Sequence, residues 1–357
     1  MDRLPVLSVD LDLIRFNAYR VCSMAAAAGV SIWGITKGLC GEPGVAMAML
    51  EGGCSALGDS RLQNFEKMRR AGIEGPFFLI RIPMLSEVDR MVHLADGCLI
   101  SSLETLEVLE GRCALERKSF KVILMFDLGD LREGFMVEDA PRVGGFCASL
   151  SWVKVEGVGT NLGCFGGVLA TPANQRELLE VAQVIREASG FDVPIVSGGG
   201  TLALRLLEDG TLPAGVNNLR VGEGIILGTD STGMRDIPYL RRDAVKLISE
   251  VVELRRKPSV PRGEIGRDAF GNLPVFEDLG ERLRAILAVG RQDTRPEGLT
   301  PLDEGVRILG ASSDHMVCDV EDAIHISMGC KLSFRPNYGA MLQSATSEYV
   351  AKEYLGV

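Results

Sequence analysis

The 357 residues include only three histidines, and the nine cysteines form no CxxC pair. Without paired ligand spacings a zinc-finger or zinc-ribbon scaffold is excluded. Asp314, His315 and Asp319 have no partners spaced for a metal, so no metal site is expected. No GxGxxG follows the first strand-like run, which argues against a doubly wound dinucleotide-binding sheet. No uncharged stretch is long enough to span a bilayer without Gly, Ser, Thr or Asn interruptions, and the opening "MDRLPVLSVD" has no apolar leader core. An odd set of thiols behind such a start is the pattern of a reducing compartment, so a cytoplasmic protein without a membrane partner is expected. A positive balance is missing too. The formal net charge of −10 argues against nucleic acid as a partner, which requires a concentrated basic surface. There is no internal repeat or low-complexity tract.

What is present is a globular composition, 46% apolar and 24% charged, on a chain long enough for two domains. Glycine is abundant at 42 residues and clustered, most tightly at Gly198, Gly199 and Gly200. Apolar or β-branched runs occur at 7–11, 31–36, 77–82, 97–100, 121–128, 155–162, 193–199 and 217–223. Between them lie helical patterns such as "RLQNFEKMRRAG" and "NQRELLEVAQVIREASG", several closed by glycine. This rhythm predicts a (β/α)8 barrel over residues 1–233. After the polar, glycine-bearing "LGTDSTGMRDIP" the pattern changes to strands with turn-rich connections, among them "VRILGASSDHMVCDV" read as one strand. The fold class is therefore α/β plus β, with a C-terminal β domain over 234–357 and a closing helix at "ATSEYVAKEYL".

In such a barrel, chemistry sits at the C-terminal ends of the strands. Lys37 follows "SIWGIT", where partial desolvation lowers an amine's pKa and suits Schiff-base chemistry; an ordinary rim lysine is the plain alternative. Arg132 in "FDLGDLREGF" can grip a carboxylate through two hydrogen bonds, or pair with Asp127, Asp130 or Glu133. "VSGGGT", with Thr201, and "NLRVGEG", with Gly222 and Gly224, belong to the seventh and eighth runs and are expected to form an anion site of the kind barrels use for phosphate; a tight βα turn with Thr201 as a helix cap is the plain alternative. Arg220 points to the barrel interior or to a structural ion pair. Ser313, Asp314 and His315 concentrate polar groups in the β domain, where a satisfied structural histidine is the plain alternative.

Taken together, "RIPMLSEV", "FDLGDLREG", "VSGGGT", "NLRVGE", "GEIGRDAFGN", "AILAVGRQDT", "GASSDH" and "SEYV" resemble the alanine racemase family of fold-type III pyridoxal phosphate (PLP) enzymes, closest to its ornithine racemase branch. The resemblance implies a PLP barrel, a β domain, and a homodimer whose active sites are shared between subunits. It implies that Lys37 forms a Schiff base with PLP and that Arg132 holds the carboxylate of a free amino acid. Thr201, the backbone of Gly222 and Glu223, and Tyr349 would contact the phosphate, and Arg220 would face the pyridine nitrogen. An arginine there keeps that nitrogen unprotonated, because two contacting positive charges repel.

Two departures from the family pattern stand out. "KGLCG" replaces an asparagine and a phosphate-reaching tyrosine after the lysine, and Arg291 in "VGRQDT" stands where the family has its second base, a tyrosine. Arginine stays protonated and is a poor base. His315 is the first replacement, with an ordinary pKa suited to both accepting and donating a proton. Tyr338, Asp293 and Asp314 are the others. Ser313 and Asp314 are expected at the substrate, and Asp293, Asp314 and Asp319 can pair a side-chain ammonium. The expected function is an amino-acid racemase, for ornithine first. The alternatives are an alanine or serine racemase, a fold-type III decarboxylase or aldolase, a catalytically dead regulator and a PLP carrier.

Overall fold

Short buried strands alternating with one-faced helices build either an open doubly wound sheet or a closed barrel, and here the strands close. The computed structural model describes residues 3–356; the first two residues, on which part of the leader reading falls, lie outside them. By internal packing the chain divides into two units, Leu11–Arg242 on the one hand and the residues through Asp10 with those from Asp243 onward on the other.

The strands are β1 (Val6–Asp10), β2 (Ser31–Ile35), β3 (Ala56–Asp59), β4 (Phe77–Leu79), β5 (Gly97–Ile100), β6 (Phe120–Met125), β7 (Val153–Gly159), β8 (Ile195–Ser197), β9 (Asn218–Val221), β10 (Thr229–Asp230), β11 (Arg235–Asp236), β12 (Val245–Pro258), β13 (Glu281–Leu287), β14 (Leu299–Pro301), β15 (Arg307–Ala311), β16 (Met316–Asp319), β17 (Lys331–Pro336) and β18 (Ala351–Leu355). Strands β2 to β9 form a closed barrel, sealed where β9 meets β2 with Arg220 opposite Trp33. Trp33, Ala56, Phe78, Leu99, Ile123 and Met125 come from successive strands and pack into one cluster, which only the barrel interior can bring together. Trp33 stacks on Phe78 with ring centroids 4.0 Å apart. Partners in a parallel pair point to the same face, so Arg220 shares the interior with Trp33.

Local signals explain where the helices begin and end. Helix Leu103–Glu116 starts at Ser102, whose hydroxyl accepts the Thr105 N–H. Helix Pro172–Ser189 has proline in its first turn, a reciprocal Thr171–Asn174 cap, and left-handed Gly190 at its end.

The second unit is an antiparallel sheet in the order β14-β17-β12-β13-β16-β15. β12 is long because its first half pairs with β1 and β17 and its second half with β13, with an irregularity between Val251 and Glu253.

Four expectations need correction. The run at 7–11 is not a barrel strand: β1 pairs antiparallel with β12 and parallel with β18. The barrel's count is made up by β3, whose "ALGD" is short and lacks β-branched residues, and so carries no strand signal. "VRILGASSDHMVCDV" is the hairpin β15–β16, not one strand. The closing segment is not a helix: helix Tyr338–Thr346 ends early and β18 follows, because pairing with β1 overrides its helical composition. The stretch read as the domain boundary is the β10–β11 hairpin, which lies within the barrel unit.

Candidate active site

Lys37 opens a short helical turn, Lys37–Leu39, just past β2. The backbone beneath it is fixed. Thr36 donates its hydroxyl to Asp59 Oδ2 at 2.6 Å, and the Thr36 N–H bonds to the Gly58 carbonyl. Asp59 is fully buried and also accepts the Arg61 N–H at 3.0 Å and Asn64 Nδ2 at 2.8 Å. Gly41, with φ of +58°, packs directly against Asn64, where a Cβ would come within 2.4 Å. "KGLCG" thus supplies a tight anchor where the family has larger side chains. Burial lowers the Lys37 pKa. Arg132 lowers it further, while Cys164, Asp59 and Glu133 act in the other direction.

Arg132 lies in the loop after β6. Asp127 and Asp130 do not pair with it. They hold backbone: Asp127 Oδ1 accepts the Gly129 and Leu131 N–H groups, and Asp130 those of Gly163 and Phe165. Arg132 instead donates to both oxygens of Glu133, with Nη2 at 2.6 Å from Oε1. Burial disfavours its charge, and the Glu133 bonds together with the nearby Cys164, Glu133 and Asp130 more than compensate, so its pKa is raised.

Arg220 is buried, with its guanidinium bonded only to neutral oxygens. Nη1 donates to the Ser197 hydroxyl and carbonyl, and Nη2 to the Thr160 carbonyl and, at 2.9 Å, to Asn161 Oδ1. Burial lowers its pKa to about 10. Asn161 hands the contact on, since its Nδ2 donates to Glu133. The four Nη hydrogens are therefore taken, and among the described residues Nε–H has no partner.

The two glycine turns also meet. Thr201 Oγ1 accepts the Gly224 N–H at 3.1 Å, which leaves the hydroxyl proton to donate. Gly222 lies against Ile35, where a Cβ would sit 3.0 Å from Ile35 Cβ. The Glu223 side chain turns away to Thr229 and Ser231, so only its backbone is positioned for an anion; burial raises its pKa.

In the other unit, the Arg291 and His315 segments are neighbours. Arg291 N–H donates to Ser312 O at 2.9 Å and Gln292 N–H to Ser313 O at 3.0 Å. His315, Asp314 and Ser313 are exposed in this turn, with Ser313 Oγ on Asp314 Oδ2 at 2.7 Å. Helix Tyr338–Thr346 packs on the same segment, with Gln343 reaching the Arg291 carbonyl. Asp293 is buried and held by Ser347 at 2.8 Å, so it is not displayed to a substrate. Asp319 is closed off by Arg282. Tyr349 is exposed, and its N–H donates to Ser347 Oγ.

Comparison with known proteins fits this geometry. The model of the alanine racemase N-terminal domain matches residues 9–230. The chain belongs to the alanine racemase family. It is 41% identical over 350 residues to a lysine racemase of Thermotoga maritima, covering 98% of each chain. It is 39% identical over 353 residues to an ornithine racemase of Acetoanaerobium sticklandii, covering 98% of this chain and 99% of the other. Among solved structures, the alanine racemase of a D-cycloserine-producing Streptomyces lavendulae superposes with a TM-score of 0.78 at 18% identity, covering 100% and 98% of the two chains. A D-threonine aldolase from Filomicrobium marinum shares the fold at a TM-score of 0.71 and 17% identity, covering 96% and 88%.

The mouth of this barrel suits the family's cofactor. A half-buried amine, an unused guanidinium N–H that shares its charged neighbours Arg132 and Glu133, and a hydroxyl at two glycine turns match an aldehyde, a ring nitrogen and a phosphate. Sequence reading missed Asp59, Asn161, Ser197 and the bridging part of Glu133. Asn161 and Ser197 are polar residues at the ends of apolar runs, a signal that was available. Asp59 lies on the unrecognised strand.

Proposed function

We propose that this chain is an amino-acid racemase that interconverts the L and D forms of a basic amino acid, ornithine or lysine. The carrying observation is the convergence of Lys37, Arg132 and Arg220 on one barrel mouth, in a chain similar end to end to racemases of both amino acids. Lys37, Thr201, Arg220 and the backbone of Gly222 and Glu223 would hold PLP. Bound there, PLP supplies the electron withdrawal that acidifies the substrate's Cα–H. The chain's own residues supply the rest. Arg132 orients the substrate carboxylate. Lys37 Nζ, with its lowered pKa, moves a proton on one face of Cα. The free Arg220 Nε–H is a donor, and it favours an unprotonated ring nitrogen.

The opposite face needs a second acid/base, which this reading draws from the β unit of a partner copy in a homodimer. His315 remains the first candidate and Tyr338 the second. Exposed Asp314 is the carboxylate left to meet a side-chain ammonium, since Asp293 and Asp319 are engaged.

The test is incubation of protein and PLP with L-amino acids in D2O, following the Cα–H by NMR and the enantiomers by chiral chromatography. Exchange with racemisation on ornithine or lysine is expected. Racemisation confined to alanine or serine overturns the substrate class. Exchange with retained configuration means that no opposing base acts, and carbon dioxide or aldehyde release means a decarboxylase or aldolase.

A further inference from the structure

Three cations meet at the barrel mouth, and one carboxylate serves them all. Glu133 grips one edge of the Arg132 guanidinium, its two oxygens accepting from Nε and Nη2. Its Oε1 also accepts Asn161 Nδ2, and Asn161 Oδ1 accepts Arg220 Nη2 at 2.9 Å. The Asn161 amide cannot turn over, because that would set its NH2 against a guanidinium and its oxygen against a carboxylate. The Glu133 side chain is only 18% exposed. The chain behind it is pinned at Gly134, where a Cβ would lie 2.2 Å from Asp127 N. Among the carboxylates, Asp59 acts on Lys37 and Asp130 on Arg132, whereas Glu133 acts on Lys37, Arg132 and Arg220, as the Cys164 thiol also does.

We propose that Glu133 is the positioning residue of this mouth: it orients the Arg132 fork directly and Arg220 through Asn161, and it adds negative charge to that of Asp59 near Lys37. This rests on the reading of the mouth as a racemase site. Two arginines and an amine gathered without a nearby carboxylate would repel one another in a water-poor pocket. A direct Glu–Arg220 pair would cancel the charge that faces a ring nitrogen. The Asn161 relay keeps Arg220 cationic at its Nε while fixing its plane. The other charged or titratable groups facing this cluster are Asp59 from β3, Asp130 from the loop after β6, and the Cys164 thiol from the loop after β7.

The test uses Glu133→Gln and Glu133→Asp. Apoprotein is acetylated with acetic anhydride across a pH series, and modification of Lys37 is quantified by peptide mass spectrometry. In parallel, kcat and KM are measured with PLP on ornithine and lysine. Glu133→Gln removes a neighbouring negative charge, so the Lys37 labelling midpoint is expected to fall by about half a pH unit or more. kcat/KM is expected to drop about tenfold or more with the loss of charge-assisted bonds. Glu133→Asp keeps the charge but is too short for the fork. Its labelling midpoint should stay near wild type while kcat/KM still falls. A Glu133→Gln labelling curve that overlays wild type overturns the electrostatic role, and unchanged kcat/KM in both variants overturns the positioning role. If Glu133→Gln is insoluble, Glu133→Asp decides the positioning role alone. If the wild type racemises neither amino acid, the functional reading fails, and the labelling curves still decide the part of Glu133.

Discussion

Two arginines, one in each unit, show what separates a structural ion pair from a poised one. In the β unit, Arg282 meets Asp319 through Nε at 2.8 Å and Nη2 at 3.1 Å, and Nη2 also reaches Asp322 at 2.9 Å. Its donors face carboxylates and its pKa is driven up. In the barrel, Arg220 is surrounded by neutral oxygens, its nearest acid lies beyond Asn161, and its pKa falls to about 10. The first arrangement is closed and cross-links strands. The second leaves the guanidinium without a carboxylate in direct contact and its Nε–H unspent among the described residues, an arrangement suited to a ligand. A buried arginine is informative by its partners rather than by its burial.

The strongest test of this contrast is Lys37, the third cation of the open cluster. Lys37→Met should abolish racemisation, with a loss of more than about 10⁴-fold, because it removes both the covalent anchor and a proton carrier. The same change should raise the Tm of the apoprotein at neutral pH. The folded pKa of Lys37 lies below its ordinary value. The stability linked to this amine is fully present above the unfolded pKa and is lost as pH falls through the folded one. The Tm gap between variant and wild type should therefore be widest at neutral pH and close as pH rises past the ordinary lysine range. A gap independent of pH would break the comparison.

Next in size is the opposing base. His315→Ala should slow Cα exchange and racemisation by about 10²- to 10⁴-fold, measured by NMR and chiral chromatography. Wild-type rates would exclude His315 and pass the test to Tyr338→Phe.

Arg132→Lys sharpens the open side further. It keeps the charge and loses the fork, so kcat/KM should fall by about 10- to 100-fold with racemisation still detectable. The smallest effect on activity belongs to the closed pair. Asp319→Asn should leave kcat per folded molecule unchanged and lower Tm by roughly a few °C. Burial works to raise the Asp319 pKa, and the Arg282 bonds, the Glu321 N–H and the charges of Arg282 and Arg307 together more than offset it, so its folded pKa is lowered. Its contribution is present above the unfolded carboxylate pKa and is lost as pH falls through the folded value. The Tm difference should therefore vanish in acid.

Much of this was legible in the chain. Lys37, Arg132 and Arg220 stand at or beside the ends of apolar runs, where barrel topology makes position a guide to role. The glycine turns at Gly199 and Gly222 were legible because backbone approach needs glycine at particular places. β3 and Asp59 were not. Four small residues carry too little periodicity to announce a strand, and their burial is decided by neighbours β2 and β4.

The sequence by itself determined the alternation of elements, the caps that start and stop helices, and the identity of the charged groups at the mouth. These depend on local propensity and on side-chain chemistry, which a linear reading can follow. Only the tertiary structure decided that β1 leaves the barrel for the other sheet, that the last segment is a strand, and that Arg132 reaches Glu133 rather than Asp127 or Asp130. It alone joined Glu133, Asn161 and Arg220, because those partners lie 28 and 59 residues apart along the chain. Pairings at that range are set by which strands close beside one another, and no local pattern carries that information.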